Sequence, residues 1–351
     1  MRLLFATSQS YLPQRVGGSQ RSTHELSVGL AARGNDVAVL CELGRPLDWT
    51  NIQNRTVATV TRRSHPCDRW RPYRIYRGYD ASRGAREVAR AFRPDVAIVH
   101  AGIAMPLVSA FLAHEIRTVV YFRDVQFGTI GGAIPRTSRL RFLANSQFTA
   151  SRVARELGLE APVVQPLVCR TTYRTTTNGR HVLFVNPVAK KGVETALALA
   201  QRNPDIPFVF LESWPMGSRQ VDALQEMLSG LRNVQFRHAT LHMAREYAQA
   251  RLLLVPSVWE EAWGRVVTEA QMSGIPVLAT AIGGLPESVG PGGILVPPGS
   301  SVEVWDAHLR TLWDSPAVYE RYQQLAIEYS RRPEIDQECL LSRFLDAVSR
   351  W

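Results

Sequence analysis

Glu261 and Glu269 are separated by seven residues within VPSVWEEAWGRVVTEAQMSGIPVLATAIGGLPESVG, Val255 to Gly290. Hydrophobic patterning makes Leu252–Val255 a strand ended by Pro256-Ser257, with Glu261 in the following loop. Gly264 opens a helix expected to run from Arg265 to Ser273, Gly274 and Pro276 close it, and Val277–Ala279 is the next strand. Such a βαβ unit sets a helix N-terminus at the carboxyl edge of the sheet, where a diphosphate is favoured. A carboxylate touching a phosphate would repel it. Two carboxylates here suit hydrogen bonds from neutral hydroxyls, as on a ribose and a sugar. The same spacing also fits a structural role, with Glu269 paired to an arginine and Glu261 solvated.

A second cluster is VNPVAKKGVE, Val185 to Glu194. The chain has 41 Lys plus Arg, and all but Lys190 and Lys191 are arginine. These two lie between a strand-like run, Val182–Val185, and a helical one, Val193–Gln201. A flexible ammonium there can follow phosphate oxygens where a rigid guanidinium fork does not fit the turn.

The elements that must position these residues alternate along the chain. Near-continuous apolar runs such as Leu3–Ala6, Val37–Cys41, Val96–Val99, Thr118–Phe122, Val163–Gln165, Phe208–Leu211 and Ile294–Val296 suit parallel strands buried on both faces. Helical patterns lie between them, including Arg21–Arg33, Ala81–Phe92, Phe148–Leu157 and Val221–Leu228. The series starts twice, at LLFAT and at VLFVN, and Leu167–Arg180, rich in Thr and closed by Asn-Gly, reads as the interdomain linker. The expected domains are 1–170, 171–330 and an amphipathic C-terminal helix, 331–351, packing back on the first domain.

Composition narrows the class. Hydrophobic residues are 45% and charged residues 21%, as in globular proteins, and no apolar run reaches bilayer length. The N-terminal MRLLFATSQSYLP reads as a buried strand rather than a signal peptide. The four cysteines are far apart and suggest neither a zinc site nor a disulfide framework, so a reducing cytoplasm fits. Net charge is +10, of which Arg62–Arg90 supplies +6. That stretch interleaves Trp70, Tyr73, Tyr76 and Tyr79. It reads either as a surface for an anionic acceptor or peripheral contact with the inner membrane face, or as a solvated arginine-rich loop and helix. No nucleic-acid module accompanies it, so nucleic acid is not an expected partner.

The block from Pro256-Ser257 through Trp263-Gly264, Glu269-Ala270, Ser273-Gly274-Ile275-Pro276-Val277 and Gly283-Gly284-Leu285-Pro286-Glu287 resembles the retaining glycosyltransferases of family 4, with their E-x7-E motif and GT-B fold. Gly17-Gly18, the LAARGNDVAVL run from Leu30, Asn145-Ser146 and Ala189-Lys190-Lys191-Gly192 match more weakly. The resemblance implies an α/β protein of two Rossmann-like domains with parallel sheets facing across a cleft. The N-terminal domain would bind an acceptor glycan, lipid or small molecule, and the C-terminal domain a nucleoside-diphosphate sugar. It implies that Glu269 accepts hydrogen bonds from the ribose, Glu261 faces the donor sugar, and the amides after Gly264 hold the diphosphate with Lys191. Gly17 and Gly18 would form a close-approach loop to the same diphosphate. Neither a metal nor a separate cofactor is implied. Gly283 and Gly284 either shape the donor pocket or form a simple turn.

The chain departs from the family pattern at two places. The Gly-Arg pair expected before Lys-Gly is replaced by Asn186-Pro187, with Arg265 or Lys190 as candidate substitutes for the arginine. The His-Asp expected at a strand end reads Arg123-Asp124; Arg123 cannot act as a base but can bind phosphate. His100 ends another strand and is either a site residue or structural. These departures motivate an alternative, a catalytically weakened GT-B protein that binds nucleotide or glycan without turnover. A nicotinamide oxidoreductase is disfavoured because no G-x-G-x-x-G follows a first strand.

Overall fold

The structure is a computed structural model that describes residues 1–44, 49–70, 72–214 and 216–350, with the side chains of residues 69 and 70 excepted. The first half of the chain runs β1 (Arg2–Ser10), α1 (Gly18–Ala32), β2 (Asp36–Glu42), α2 (Trp49–Thr61), β3 (Cys67–Trp70) and β4 (Tyr73–Gly78). It continues with α3 (Ala81–Phe92), β5 (Val96–Val99), α4 (Met105–Leu112), β6 (Arg117–Phe122), β7 (Leu140–Ala144) and α5 (Gln147–Leu157). The second half runs α6 (Arg170–Tyr173), β8 (His181–Val185), α7 (Val193–Arg202), β9 (Phe208–Leu211), α8 (Ser218–Leu228), β10 (Val234–Arg237) and α9 (Met243–Tyr247). Then follow β11 (Ala250–Val255), α10 (Arg265–Gln271), β12 (Val277–Thr280), α11 (Leu285–Val289), β13 (Gly293–Val296), α12 (Val302–Asp314), α13 (Pro316–Tyr329) and α14 (Gln337–Ser349).

Two compact units result: Met1–Leu167 with Gln337–Trp351, and Val168–Asp336. In the first, a seven-stranded sheet has the order β3-β4-β2-β1-β5-β6-β7. Every neighbour pairs in parallel except β3 with β4, so the sheet is parallel only inward of that edge hairpin. The central strand β1 is flanked on both sides, Leu3–Ala6 lying opposite Val37–Leu40 and Val96–Val99. Both faces of this strand are covered, Leu4 and Ala6 lying in one apolar cluster and Leu3 and Phe5 in another, so its side chains from Leu3 to Ala6 are all buried. Local chemistry sets the helix ends. Asp80 accepts from Ser82 N at 3.0 Å to start α3, and Ser146 accepts from Thr149 N at 3.0 Å to start α5.

The amphipathic tail packs in this unit's core as α14. Leu340, Leu341, Phe344 and Val348 join the apolar cluster of Leu3, Phe5, Leu26 and Leu30. The Phe344 ring lies 5.8 Å from that of Phe5, and a Cβ on Gly29 would sit 2.9 Å from Leu341 Cδ1, so the glycine admits the helix.

The second unit has a six-stranded, wholly parallel sheet of order β10-β9-β8-β11-β12-β13. The divide falls after Leu167 rather than after Arg170, because Val168 packs into the second unit's core. Residues 331–336 also stay with that unit, so only α14 and the residues after it return. The Thr-rich stretch expected as a linker is bound along the second unit, with Asn178 N donating to Ala248 O and Arg180 N to Gln249 O, each at 2.8 Å. Periodicity also missed β3, β4 and β7, while Val163–Gln165, expected as a strand, forms only a single bridge to Ala144.

Phe344 is fully buried, so Phe344→Ala should lower the unfolding free energy of the first unit by about 3–5 kcal/mol. Urea unfolding followed by circular dichroism would measure it, and a loss under about 1 kcal/mol would mean that α14 contributes little to that core.

Candidate active site

The second sheet reverses its winding between β8 and β11, so the loops leaving the carboxyl ends of these neighbours diverge and open a crevice. Lys190 and Lys191 sit in the turn after β8, and Glu261 in the loop after β11. The two loops touch. Gly192 has φ +80°, and a Cβ there would lie 1.9 Å from Pro256 O, so only glycine fits. Val258 N donates to Lys190 O at 3.2 Å. This approach puts Lys191 Nζ in an ion pair with Glu261 Oε1, which also accepts from Ser257 Oγ at 2.9 Å. Both charged side chains are largely buried, at 14% and 13% exposure, so the pair is better shielded from water than a surface salt bridge. Glu261 is therefore not the solvated residue of the structural alternative.

An indole closes the cluster. Lys190 Nζ lies 4.5 Å and Lys191 Nζ 4.9 Å from the Trp214 ring centroid, with Trp259 5.7 Å from Lys190. Trp214 is held by Asn186, whose backbone is left-handed at φ +62° and whose Oδ1 accepts from Ser213 N at 3.0 Å and Trp214 N at 2.7 Å. The residue that marked a departure from the family pattern thus ties the loop after β9 to the lysines.

Glu269 is 3% exposed, and both of its oxygens are engaged. Oε1 accepts from Arg265 Nε at 2.6 Å, and Oε2 from the Tyr247 hydroxyl at 2.8 Å. Arg265 also donates to the Tyr173 hydroxyl at 2.9 Å. Burial, followed by the facing Glu269 charge, pushes the Tyr247 phenol well above its usual value, so it remains a donor. The arginine pairing foreseen for Glu269 is present, and Arg265 is committed to Glu269 and Tyr173 inside the unit. Tyr173, Trp214 and Tyr247 carried no signal in the sequence; each arrives from a distant loop or short helix. Helix α10 is shorter than expected, ending at Gln271. Gly264 opens it at φ +85°, where a Cβ would lie 2.6 Å from Leu285 Cδ2.

Gly283 and Gly284 press against the backbone that carries Glu261. A Cβ on Gly283 would lie 2.4 Å from Glu261 O, one on Gly284 would lie 2.4 Å from Ala262 O, and Gly284 N donates to Glu261 O at 2.6 Å. Trp263 is buried and donates to Thr268 Oγ1 at 3.0 Å, a packing role, whereas Trp259 is half-buried beside Lys190.

In the first unit, four of the remaining candidates meet around the start of α1. Gly17 caps that helix and Gly18 begins it; Gly17 is extended at φ −158°, a conformation open to any residue. Thr23 Oγ1 donates to Ser19 O at 2.8 Å and accepts from Arg123 Nη1 at 2.7 Å. With its proton committed, Thr23 leaves His100 as the donor in their 3.2 Å contact, so His100 carries its proton on Nε2. His100 is buried, and its Nδ1 has no partner among the described residues. Burial, then the Arg123 charge, hold it well below the usual histidine value. Arg123 also donates to Ser19 O at 3.1 Å and lies 4.2 Å from the Tyr121 ring centroid. Asp124 stands apart, exposed, accepting from Gln126 N at 3.2 Å. Among the described residues, no group of three His, Cys, Asp or Glu is arranged to hold a metal.

Two Rossmann-like domains with parallel sheets, the second carrying a Lys–Glu pair at its switch point, define a protein of the GT-B type. Residues 16–166 match the model described as Glycosyltransferase Family 4, and residues 180–314 the model described as Glycosyl transferases group 1. The chain belongs to the family 4-like glycosyltransferases. It is 33% identical over 150 residues to a D-inositol 3-phosphate glycosyltransferase of Arthrobacter sp. (strain FB24), covering 39% of this chain and 35% of the relative. It is also 33% identical over 188 residues to one of Corynebacterium urealyticum, covering 45% and 44%. The matches thus span less than half the length of these curated relatives. In fold it is similar to Anabaena Alr3699/HepE in complex with UDP and glucose, at TM-score 0.77, 18% identity and 99% coverage of each chain. Sucrose-phosphate synthase from Thermosynechococcus elongatus matches at TM-score 0.75 and 16% identity, over 99% of this chain and 98% of the other.

Two outcomes follow from this geometry. Gly283→Ala should cost about 1–3 kcal/mol, through its positive φ and its clash with Glu261 O, measured by urea unfolding. His100 has a folded pKa below its unfolded value of about 6.5, so its stabilising contribution is complete above that value and is lost as pH falls. Melting temperature should therefore drop between pH 7 and 5. His100→Gln, which keeps a donor toward Thr23 but cannot take up the proton, should make the drop shallower.

Proposed function

We propose that the protein is a retaining glycosyltransferase that moves a sugar from a nucleoside-diphosphate sugar to an acceptor hydroxyl without a bound metal. The observation that carries this reading is the shielded Lys191–Glu261 pair at the switch point of the second sheet. In the reaction the bond between the anomeric carbon and the diphosphate oxygen breaks, and its electron pair leaves with the diphosphate. The acceptor oxygen forms the new bond and gives up its proton to an oxygen of the departing diphosphate. Negative charge grows on the leaving group, and the Lys191 ammonium, supported by the amides after Gly264, offsets it as electrostatic catalysis. Lys190, beside it on the Trp214 ring, adds a second cation.

Glu261 holds Lys191 in place before the donor arrives, then takes hydroxyl hydrogen bonds from the sugar as the lysine turns to the diphosphate. Glu269, held in place by Arg265 and Tyr247, accepts from the ribose hydroxyls. A donor of the UDP-sugar class is supported by the similar fold of Anabaena Alr3699/HepE, seen in complex with UDP and with UDP-glucose. The acceptor class we propose is anionic, in keeping with the net charge of +10 and with relatives named for D-inositol 3-phosphate. A cytoplasmic site of action fits the four free cysteines.

A second reading, donor binding without turnover, draws on Arg123 and Asn186-Pro187 standing where the family pattern has other residues. A thermal-shift screen of nucleoside diphosphates and their sugars, followed by turnover assays with the donor that stabilises, separates the two. Lys191→Ala should lower kcat by about 10²–10³-fold. Lys191→Arg should lose nearly as much, because the flexible point charge is what the turn accommodates. Near-normal activity in the Arg variant would overturn the role given to Lys191, and stabilisation without turnover would favour the second reading.

A further inference from the structure

Helix α2 is turned inside out. Of its thirteen residues, Asn51 and Asn54 are buried, at 3% and 8% exposure. Its apolar side chains face water: Trp49 is 74% exposed, Ile52 46%, Val57 40% and Val60 78%. At 100° per residue these four fall on one stripe, and the two asparagines lie on the opposite side. Asn51 explains the inward face, because its Nδ2 donates to Gly44 O at 2.7 Å and so ties the helix to the end of β2. The stripe borders a groove of about 490 Å³ that Pro66 and Cys67 close from the side of β3. Nothing in the first unit's core uses these residues.

Along the helix the charge is of one sign, and Asp68, which lines the groove, is paired with Arg77. From Trp49 to Arg63 the sequence has Arg55, Arg62 and Arg63 and no acidic residue. Arg62 and Arg63 are exposed, directly after the last turn. Arg55 Nε donates at 2.8 Å to the hydroxyl of Tyr79, itself 63% exposed, which adds an aromatic residue beside the helix. Of the wider basic stretch Arg62–Arg90, Arg71 and the side chains of Arg69 and Trp70 lie outside the described residues.

We infer that α2 is a membrane-surface helix: Trp49, Ile52, Val57 and Val60 enter the interface of an anionic bilayer while Arg62 and Arg63 bind its headgroups. An exposed apolar stripe with a one-sign basic flank is the arrangement that lies in the plane of such an interface. Tryptophan favours that depth. Threonine and glutamine between the apolar positions keep the insertion shallow. A second copy of the chain fits less well, because a two-fold contact through this stripe would bring like arginines together. The stripe of one short helix is also small against the roughly 1,200–2,000 Å² that stable protein interfaces bury. Among the described residues no helix is long and apolar enough to cross a membrane, so the attachment is peripheral. The inference is independent of glycosyl transfer, since vesicle binding is read without donor or acceptor.

The test is co-sedimentation of the full chain with vesicles of phosphatidylcholine alone or mixed equally with phosphatidylglycerol. Binding should be at least tenfold stronger to the mixed vesicles and should fall as salt is raised. Trp49→Ser with Val60→Ser should weaken it about tenfold, and so should Arg62→Ser with Arg63→Ser. All four side chains are exposed, so the melting temperature should not move, which separates lost binding from lost folding. Equal binding to both vesicle types, or unchanged binding by the Trp49/Val60 variant, would overturn the inference. So would a dimer, seen by analytical ultracentrifugation, that the same variant abolishes.

Discussion

The ion pair between Lys191 and Glu261 depends on a close approach that one glycine permits. Gly192 has no Cβ to meet Pro256 O, so the loop after β8 can lie against the loop after β11. With those loops in contact, a short lysine–carboxylate pair forms where the sheet changes winding direction. Other features of the site secure the same geometry. Ser257 fixes the carboxylate, Gly283 and Gly284 let a neighbouring turn press on its backbone, and Asn186 brings Trp214 over the ammonium groups. Remove the close approach and each of these contacts addresses a different place.

The second carboxylate shows a different economy. Glu269 is deeper, and its charge is balanced inside the unit by Arg265 and by two tyrosine hydroxyls, one on each partner. A buried carboxylate without such partners would take up a proton or unfold its surroundings. The arginine that sequence patterning offered as a phosphate ligand is therefore the counter-ion that keeps Glu269 ionised and in position. In the proposed reaction, positive charge for the diphosphate comes instead from the lysine pair, and this chain has lysine only at that one turn.

Much of the fold was legible because strands buried on both faces leave uninterrupted apolar runs and helices leave punctuated ones. Helix α3 matches its expected span, and the Val193 start of α7 was likewise evident. Legibility failed where local pattern and burial part company. The edge pair β3 and β4 is rich in arginine and aromatic residues, so it reads as a charged loop. Helix α2 carries an apolar stripe that in most helices would face a core, and here the core lies on the asparagine side. The Thr-rich stretch before β8 lacks any period, yet its backbone is hydrogen-bonded along the second unit.

By itself the sequence determined the alternation of strand and helix, the two beginnings of the βα series, and the side chains able to do chemistry, Glu261, Glu269 and Lys191. These are local properties, written in burial periodicity and in the glycines and prolines that end each element. Only the tertiary structure decided that Lys191 and Glu261, 70 residues apart, are partners, and that Arg265 belongs to Glu269. It also recruited Tyr173, 92 residues from Arg265, and Trp214 from the loop after β9. The physical reason is strand order. Which loops meet depends on which strands hydrogen-bond as neighbours, and a parallel strand's own residues, apolar on both faces, carry little information about who its neighbour is.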